Sequence, residues 1–249
     1  MSQPPTQQLS ESFDLARKWY EESRSSSAQQ HGWTKYKTTE EGAHYWINKD
    51  KHDYWVFQGE MLNVECANNV ASSPRDIIHY LEVEEKRLLW DEELVKSERI
   101  PIGSSSSTSI AVTSHHHEDL GAFYRVFSSG SRFISNREFV ILRNIYQDPT
   151  HPENVLWLVT KSGYEVPGYE HDKAPKNSSN VRGVVHLTAW RIELVKTEGN
   201  NSYFNLFIMT HSEPGGWVKP SMYNSGVGDR PCATVLRLVK HLRSLTKSH

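Results

Sequence analysis

The chain has 249 residues, with 28 Lys and Arg against 30 Asp and Glu and a formal net charge of -2. That length suits one large domain or two small ones, and the mixed charge excludes the electrostatic footprint of a nucleic-acid binder. Only Cys66 and Cys232 carry thiols, which excludes a disulfide framework or a cysteine-rich zinc site, leaves one disulfide open, and fits a reducing, cytoplasmic compartment.

The polar segment Met1 to Gln8 lacks a signal-peptide core, and no later run approaches the roughly 20 apolar residues of a membrane span. Residues 1–8 read as a disordered tail and 9–249 as a single domain. Ser10 reads as the cap of a helix from Glu11, with Leu9, Phe13, Ala16 and Tyr20 at helical spacing and the run Ser25 to Ser27 ending it. Three strands follow at 33–38, 43–48 and 54–64, forming an antiparallel meander. Ser73 before Pro74 caps a second helix through Ile77, Ile78 and Leu81. A charged segment then runs through Leu88, Leu89 and Trp90 to Leu94.

Beyond a low-complexity loop at 103–117, five more strands are expected at 120–127, 137–146, 155–161, 181–196 and 203–211. No helix separates them, which excludes a parallel nucleotide-binding sheet. The last element, Cys232 to Leu245, is an amphipathic helix. Val235, Leu236, Val239, Leu242 and Leu245 share one face, and Arg237, Lys240 and Arg243 the other. The basic face, extended by Lys247, suits either an anionic membrane surface or plain solvent.

Several strands are apolar on both faces: Phe139, Ile141 and Ile145 alternate with Val140 and Leu142, and Leu156 and Leu158 with Trp157 and Val159. Both faces of the sheet are therefore expected to be covered. The fold class is α+β, a curved antiparallel sheet of about nine strands holding a long C-terminal helix. Periodicity leaves open whether the enclosed space is a filled core or an apolar cavity.

Four segments carry a family resemblance. Ser135-Asn136-Arg137-Glu138-Phe139-Val140 resembles the arginine-aspartate-phenylalanine-valine strand opening of START (StAR-related lipid transfer) domains, with Glu138 in place of the aspartate. Trp90-Asp91 resembles the tryptophan-aspartate after that family's second helix, and Val181-Arg182-Gly183 the step after its long loop. Glu213-Pro214-Gly215-Gly216-Trp217-Val218-Lys219-Pro220 resembles the glycine-tryptophan turn before its lid helix. The four occur in the family's order across about residues 10 to 245. Ser135-Asn136-Arg137 is most similar to the phosphatidylcholine-transfer branch.

The resemblance implies a helix-grip fold that holds one lipid in an internal apolar cavity and carries it through the cytosol between membranes. The expected partners are that lipid, a phospholipid in preference to a sterol, and a transient membrane surface. It implies no cofactor, no metal, no nucleic acid, a monomer, and no catalysis. The loop 163–180, with Pro167, Gly168 and Pro175, would gate the cavity, an ordinary surface loop being the alternative.

Arg143 is the most informative single residue, because it shares a strand face with Phe139, Ile141 and Ile145, where an unpaired charge is costly. By resemblance it matches an arginine that projects into the family's cavity and meets a lipid polar group or an acidic side chain. Guanidinium geometry suits phosphate better than a sterol hydroxyl. The acidic partner of the sterol branch would fall near Tyr124-Arg125, where there is no carboxylate. A structural salt bridge is the alternative. The lipid-contacting set implied is Tyr124, Arg143, Leu156, Leu158, Trp190, Phe204, Leu206, Ile208, Leu238 and Leu242.

Other chemistry is weaker. His115-His116-His117-Glu118-Asp119 has metal-binding side chains but sits in a serine-rich loop, a poor setting for a closed site. No nucleophile elbow, metalloprotease pair or phosphate-binding glycine loop occurs. Two alternative functions remain: a helix-grip enzyme using a histidine such as His186 as acid or base, and a lipid-sensing interaction domain.

Overall fold

The computed structural model describes residues 5–100, 117–130, 134–163, 179–226 and 230–246. The first helix, α1 (Pro5–Arg24), begins earlier than the sequence suggests. Residues 5–8 are already helical and Ser10 lies within the helix, not at its cap. Proline is tolerated in a first turn, and the buried stripe Leu9, Phe13, Ala16 and Trp19 holds the helix to the sheet along its central turns.

The meander follows as β1 (Trp33–Thr38), β2 (His44–Asn48) and β3 (Val56–Ala67). Helix α2 (Pro74–Glu82) opens on a complete capping box, in which the Ser73 side chain accepts from the Asp76 backbone and Asp76 accepts from Ser73 in return. Such a cap contributes about 1 kcal/mol. Ile77, Ile78 and Leu81 on its inner side are fully buried, worth about 1.5–3 kcal/mol each.

Helix α3 (Glu84–Leu88) leads into β4 (Leu94–Ile100), a strand that the sequence reading did not assign. It is an edge strand with a register shift between Leu94 and Lys96, and its buried residues Leu94, Ser97 and Ile100 fall three apart, so the two-residue alternation of a strand is absent. Next come β5 (His117–Phe127), β6 (Arg137–Gln147) and β7 (Val155–Ser162).

The expected strand at 181–196 is two strands. β8 (Val181–Arg182) pairs parallel with β6, and β9 (Val184–Glu198) continues after a break at Gly183. The chain ends with β10 (Asn201–Glu213), a short helix α4 (Pro220–Gly226) that the sequence reading missed, and α5 (Arg230–Thr246).

The sheet order is β1-β2-β3-β10-β9-β7-β6-β5-β4, with β8 beside β6, and every pairing except β6 with β8 is antiparallel. Two apolar layers sandwich it, as the double-faced strands required. On the outer layer α1 packs against Tyr146, Trp157 and Phe207, with the Phe13 and Tyr146 rings stacked at 4.5 Å. On the inner layer α2 and α5 pack against β3, β9 and β10.

Cys66 and Cys232 are both buried free thiols, so the disulfide left open by the sequence does not form. Burial pushes the Cys66 thiol up to about 12. His115 and His116, most of the 163–180 loop, and Lys247 lie outside the described residues.

Candidate functional site

The inner layer is divided. Toward β3, side chains of α2 and α5 fill the space, and Phe204, Leu206, Leu238 and Leu242 are fully buried among them. Toward β5, β6 and β7 the filling stops. A cavity of about 280 Å³ remains between the sheet and the residues Met222, Tyr223, Arg230 and Thr234 of α4 and α5. This is near the smallest of the ligand sites of about 300–1,000 Å³ common in proteins, so a filled core is excluded on this half of the sheet.

Ile141, Leu158, Trp190 and Ile208 form the apolar floor, and Thr160, Thr188 and Thr210 interrupt it. Their two-residue spacing along β6, β7, β9 and β10 puts them on one face. Arg143 pairs with Thr160 and so continues the threonine row, and Arg87, Arg125 and Arg137 also line the cavity.

Arg143 is 1% exposed. One of its terminal nitrogens, Nη2, donates to the Leu81 carbonyl at 2.9 Å, while Nε and Nη1 have no hydrogen-bond partner among the described residues. Burial, and after it the Arg87 charge, push its pKa down to about 9. Arg125 donates Nε to Ser97 Oγ at 3.2 Å and leaves Nη2 unpaired among the described residues. Burial, then Arg143 and Arg87, hold it well below the usual guanidinium range. Arg87 differs: its Nε and Nη2 reach Asp91 Oδ2 at 3.0 and 2.7 Å, a compensated buried pair. The carboxylate missing beside Arg143 in the sequence is thus missing in space, and a backbone carbonyl takes part of its place.

Of the expected lipid-contacting residues, Arg143, Leu158, Trp190 and Ile208 line the cavity. Leu156 packs half-buried against the inner core, where Phe204, Leu206, Leu238 and Leu242 also lie, and none of these five reaches the cavity wall. Tyr124 faces the outer layer, its hydroxyl donating to Glu138 Oε2 at 2.6 Å. The residues missed are Arg125, Arg137, Arg230 and the three threonines. Strand parity could have found Arg125, since it alternates in step with Phe123 and Phe127.

Three of the four segments used for the family resemblance meet in space. Glu138 Oε1 accepts from Arg182 Nε and Nη2 at 2.9 and 2.7 Å, tying β6 to β8. A Cβ on Gly183 would lie 2.5 Å from Phe139 Cε1, and one on Gly215, whose φ is +69, would lie 2.1 Å from the Arg182 carbonyl oxygen. Only glycine fits either place. Trp90 Nε1 donates to the Tyr80 carbonyl at 3.1 Å, fixing the turn that presents Asp91 to Arg87.

The family model for the START domain matches residues 15–248. The chain belongs to the START domain family. Among solved structures, the START domain here is similar to the human StarD13 (DLC2) lipid transfer and protein localization domain, with 21% identity, a TM-score of 0.60, and 91% of this chain and 95% of that one covered. Human STARD10 is 15% identical with a TM-score of 0.63, covering 94% of this chain and 81% of that one. Human StAR-related lipid transfer protein 5 is 16% identical with a TM-score of 0.62 and 98% of both chains covered. At such identities the likeness establishes the helix-grip fold alone. No curated protein sequence matches the chain.

Two other features of this START domain bear on its chemistry. His186 lies in a separate cleft with Trp19, His52 and His211, its Nε2 2.7 Å from Glu213 Oε1, so the histidine named for an enzymatic role does not line the cavity. Among the described residues, no group of three or more His, Cys, Asp or Glu is placed to hold a metal ion, and no helix is long and apolar enough to cross a membrane.

Proposed function

We propose that this START domain binds one phospholipid and carries it through the cytosol between membranes, as a monomer without a cofactor. One observation carries the reading: two buried arginines with N–H groups unpaired among the described residues, Arg125 and Arg143, line a chamber whose floor is mainly apolar. A guanidinium buried without an anion is costly, and a phosphate offers two acceptor oxygens in the geometry that its planar fork matches. A sterol hydroxyl would supply one neutral partner and leave the charge uncompensated. The likeness of Ser135-Asn136-Arg137 to the phosphatidylcholine-transfer branch also supports a phosphate-bearing cargo.

Membrane contact has its own support. Trp217 and Met222, exposed by 60% and 45%, flank Val218 and Tyr223 of the cavity wall, and tryptophan favours the membrane–water boundary. The basic face of α5 contributes less than its sequence implies, because Arg237 pairs with Asp91 and Glu93, and Lys240 with Glu41.

The test is native mass spectrometry of the purified chain after exposure to a total lipid extract. One phospholipid retained per chain, with loading weakened by Arg143→Leu, is the expected result. A chain that retains no lipid from any extract overturns the reading.

A further inference from the structure

The charge of the cargo headgroup follows from which ion pairs the cavity already contains. Among the described residues, five arginines and one carboxylate line it: Arg87, Arg125, Arg137, Arg143, Arg230 and Glu93. Every acid nearby is engaged. Glu93 is held by Arg230 at 3.3 Å and Arg237 at 3.2 Å, and Asp91 takes the fork of Arg87. Of the two acids that act on Arg143 through space, Glu82 is paired with Arg75 at 3.1 Å, whereas Glu84 accepts from the neutral Ser97 Oγ at 3.3 Å and so offsets part of the charge of Arg125 and Arg143.

Positive charge is therefore left over at Arg125, Arg137 and Arg143, each with at least one buried nitrogen lacking a partner among the described residues. The surplus is concentrated. The guanidinium carbons of Arg125 and Arg143 lie 5.7 and 5.3 Å from the centre of one ring, Phe123, on the cavity side of β5. Both guanidiniums thus lie against one ring, close enough that the Arg143 charge acts on Arg125.

We propose that the headgroup selected by this cavity is net anionic, a phosphate monoester or an anionic phosphodiester, and that zwitterionic choline phospholipid is discriminated against. A choline head would bring a permanent cation into a chamber that holds surplus cations and no free carboxylate among its described residues. A net-anionic phosphate supplies the missing counter-charge, and its oxygens can accept from both arginines at once. The proposal rests on the phospholipid reading above and narrows it, departing from the choline headgroup that the Ser135-Asn136-Arg137 likeness implies.

The experiment equilibrates the full chain with phosphatidylcholine vesicles carrying a minor fraction of phosphatidic acid and phosphatidylserine. The protein is then separated from the vesicles and its retained lipid identified. The expected result is enrichment of the anionic lipids by about tenfold or more over the vesicle composition. The enrichment should persist at high ionic strength, because buried charges are poorly screened. Arg125→Gln should reduce the enrichment severalfold, while Arg125→Lys, which keeps the charge, should retain most of it. The wild-type composition decides the matter by itself, so a variant that fails to fold leaves the test intact. Retained lipid that matches the vesicles, or is enriched in phosphatidylcholine, overturns this inference and leaves the carrier reading standing. Retention of a sterol, of a fatty acid or of nothing overturns both.

Discussion

Arg230, the first residue of α5, donates Nη1 to the Ser129 carbonyl at 2.6 Å, clasping that helix to the chain leading from β5 to β6. The same side chain places Nε 3.3 Å from Glu93 Oε1, just before β4. The start of α5 is thus tied, by one partly exposed residue, to two segments that also line the cavity.

A clasp of this kind should control exchange more than stability. Arg230→Ala is expected to raise the rate constants of lipid loading and release severalfold. It should cost about 1 kcal/mol or less, as for other half-exposed ion pairs. Vesicle-to-vesicle transfer kinetics, with a thermal melt alongside, check both parts. Slower or unchanged exchange would show that the cavity opens elsewhere.

Tyr124 offers a separate test of where the site lies. Its hydroxyl donates at 2.6 Å to Glu138, which also holds Arg182; burial pushes the Glu138 carboxyl up, but that hydrogen bond, and after it Arg182, keep it below the usual carboxylate range. Tyr124→Phe removes one hydrogen bond to a charged group and should lower stability by about 1.5–3 kcal/mol. Lipid retention should be unchanged, because the ring faces the outer layer. Denaturant unfolding and retained-lipid mass measure the two effects independently.

The sheet was legible because its strands announce both layers: Val140 and Leu142 bury toward α1, and Ile141 and Ile145 toward the inner side. β4 was not, since its exposed Lys96, Glu98 and Arg99 and its register shift erase the alternation. The cavity was legible only in part. Leu158 and Phe204 both lie on the inner face, yet Leu158 borders the empty half and Phe204 the filled half. The difference is set by where α2 and α5 cross the sheet, a tertiary fact absent from any one strand's pattern. Arg143 could be singled out because it shares a strand face with Phe139, Ile141 and Ile145, whereas Arg125 offered only its parity with Phe123 and Phe127, and its nearness to the Phe123 ring shared with Arg143 is a tertiary fact.

Gly183 separates β8 from β9, and a methyl group there would meet Phe139 Cε1 at 2.5 Å and the Glu213 carbonyl oxygen at 2.8 Å. Both contacts are too short, so the Phe139 ring, which lines the cavity, and the Glu213 backbone would each have to shift. Gly183→Ala should cost about 1–3 kcal/mol as an overpacked site and reduce lipid loading as well. Urea unfolding together with retained-lipid mass would check the coupling. A stability loss with full loading would mean that the ring moves away from the cavity.

The final prediction concerns acid. His211 is buried on β10 with its ring stacked on His52 at 4.1 Å and on His186 at 4.5 Å. Burial, then the charges of His52 and His186, push its pKa down to about 3. His52 is lowered also, by burial and by His186 and Lys51 against the opposing pull of Asp53. Glu213 and Lys161 face the same cleft, as do Trp19 and Glu11 of α1. In the unfolded chain a histidine takes up its proton near pH 6.5, so between pH 6.5 and about 3 the unfolded state binds more protons. Stability is therefore present in full above that window and is lost as pH falls through it. From pH 7 to pH 5 the contribution of His211 amounts to about 2 kcal/mol. His211→Gln should flatten this part of the stability profile, measured by urea unfolding across the range. Trp19 lies 6.4 Å from the His211 ring, so its fluorescence should report whether α1 loosens before the sheet unfolds, and an identical pH slope in the variant would assign the acid sensitivity to other groups.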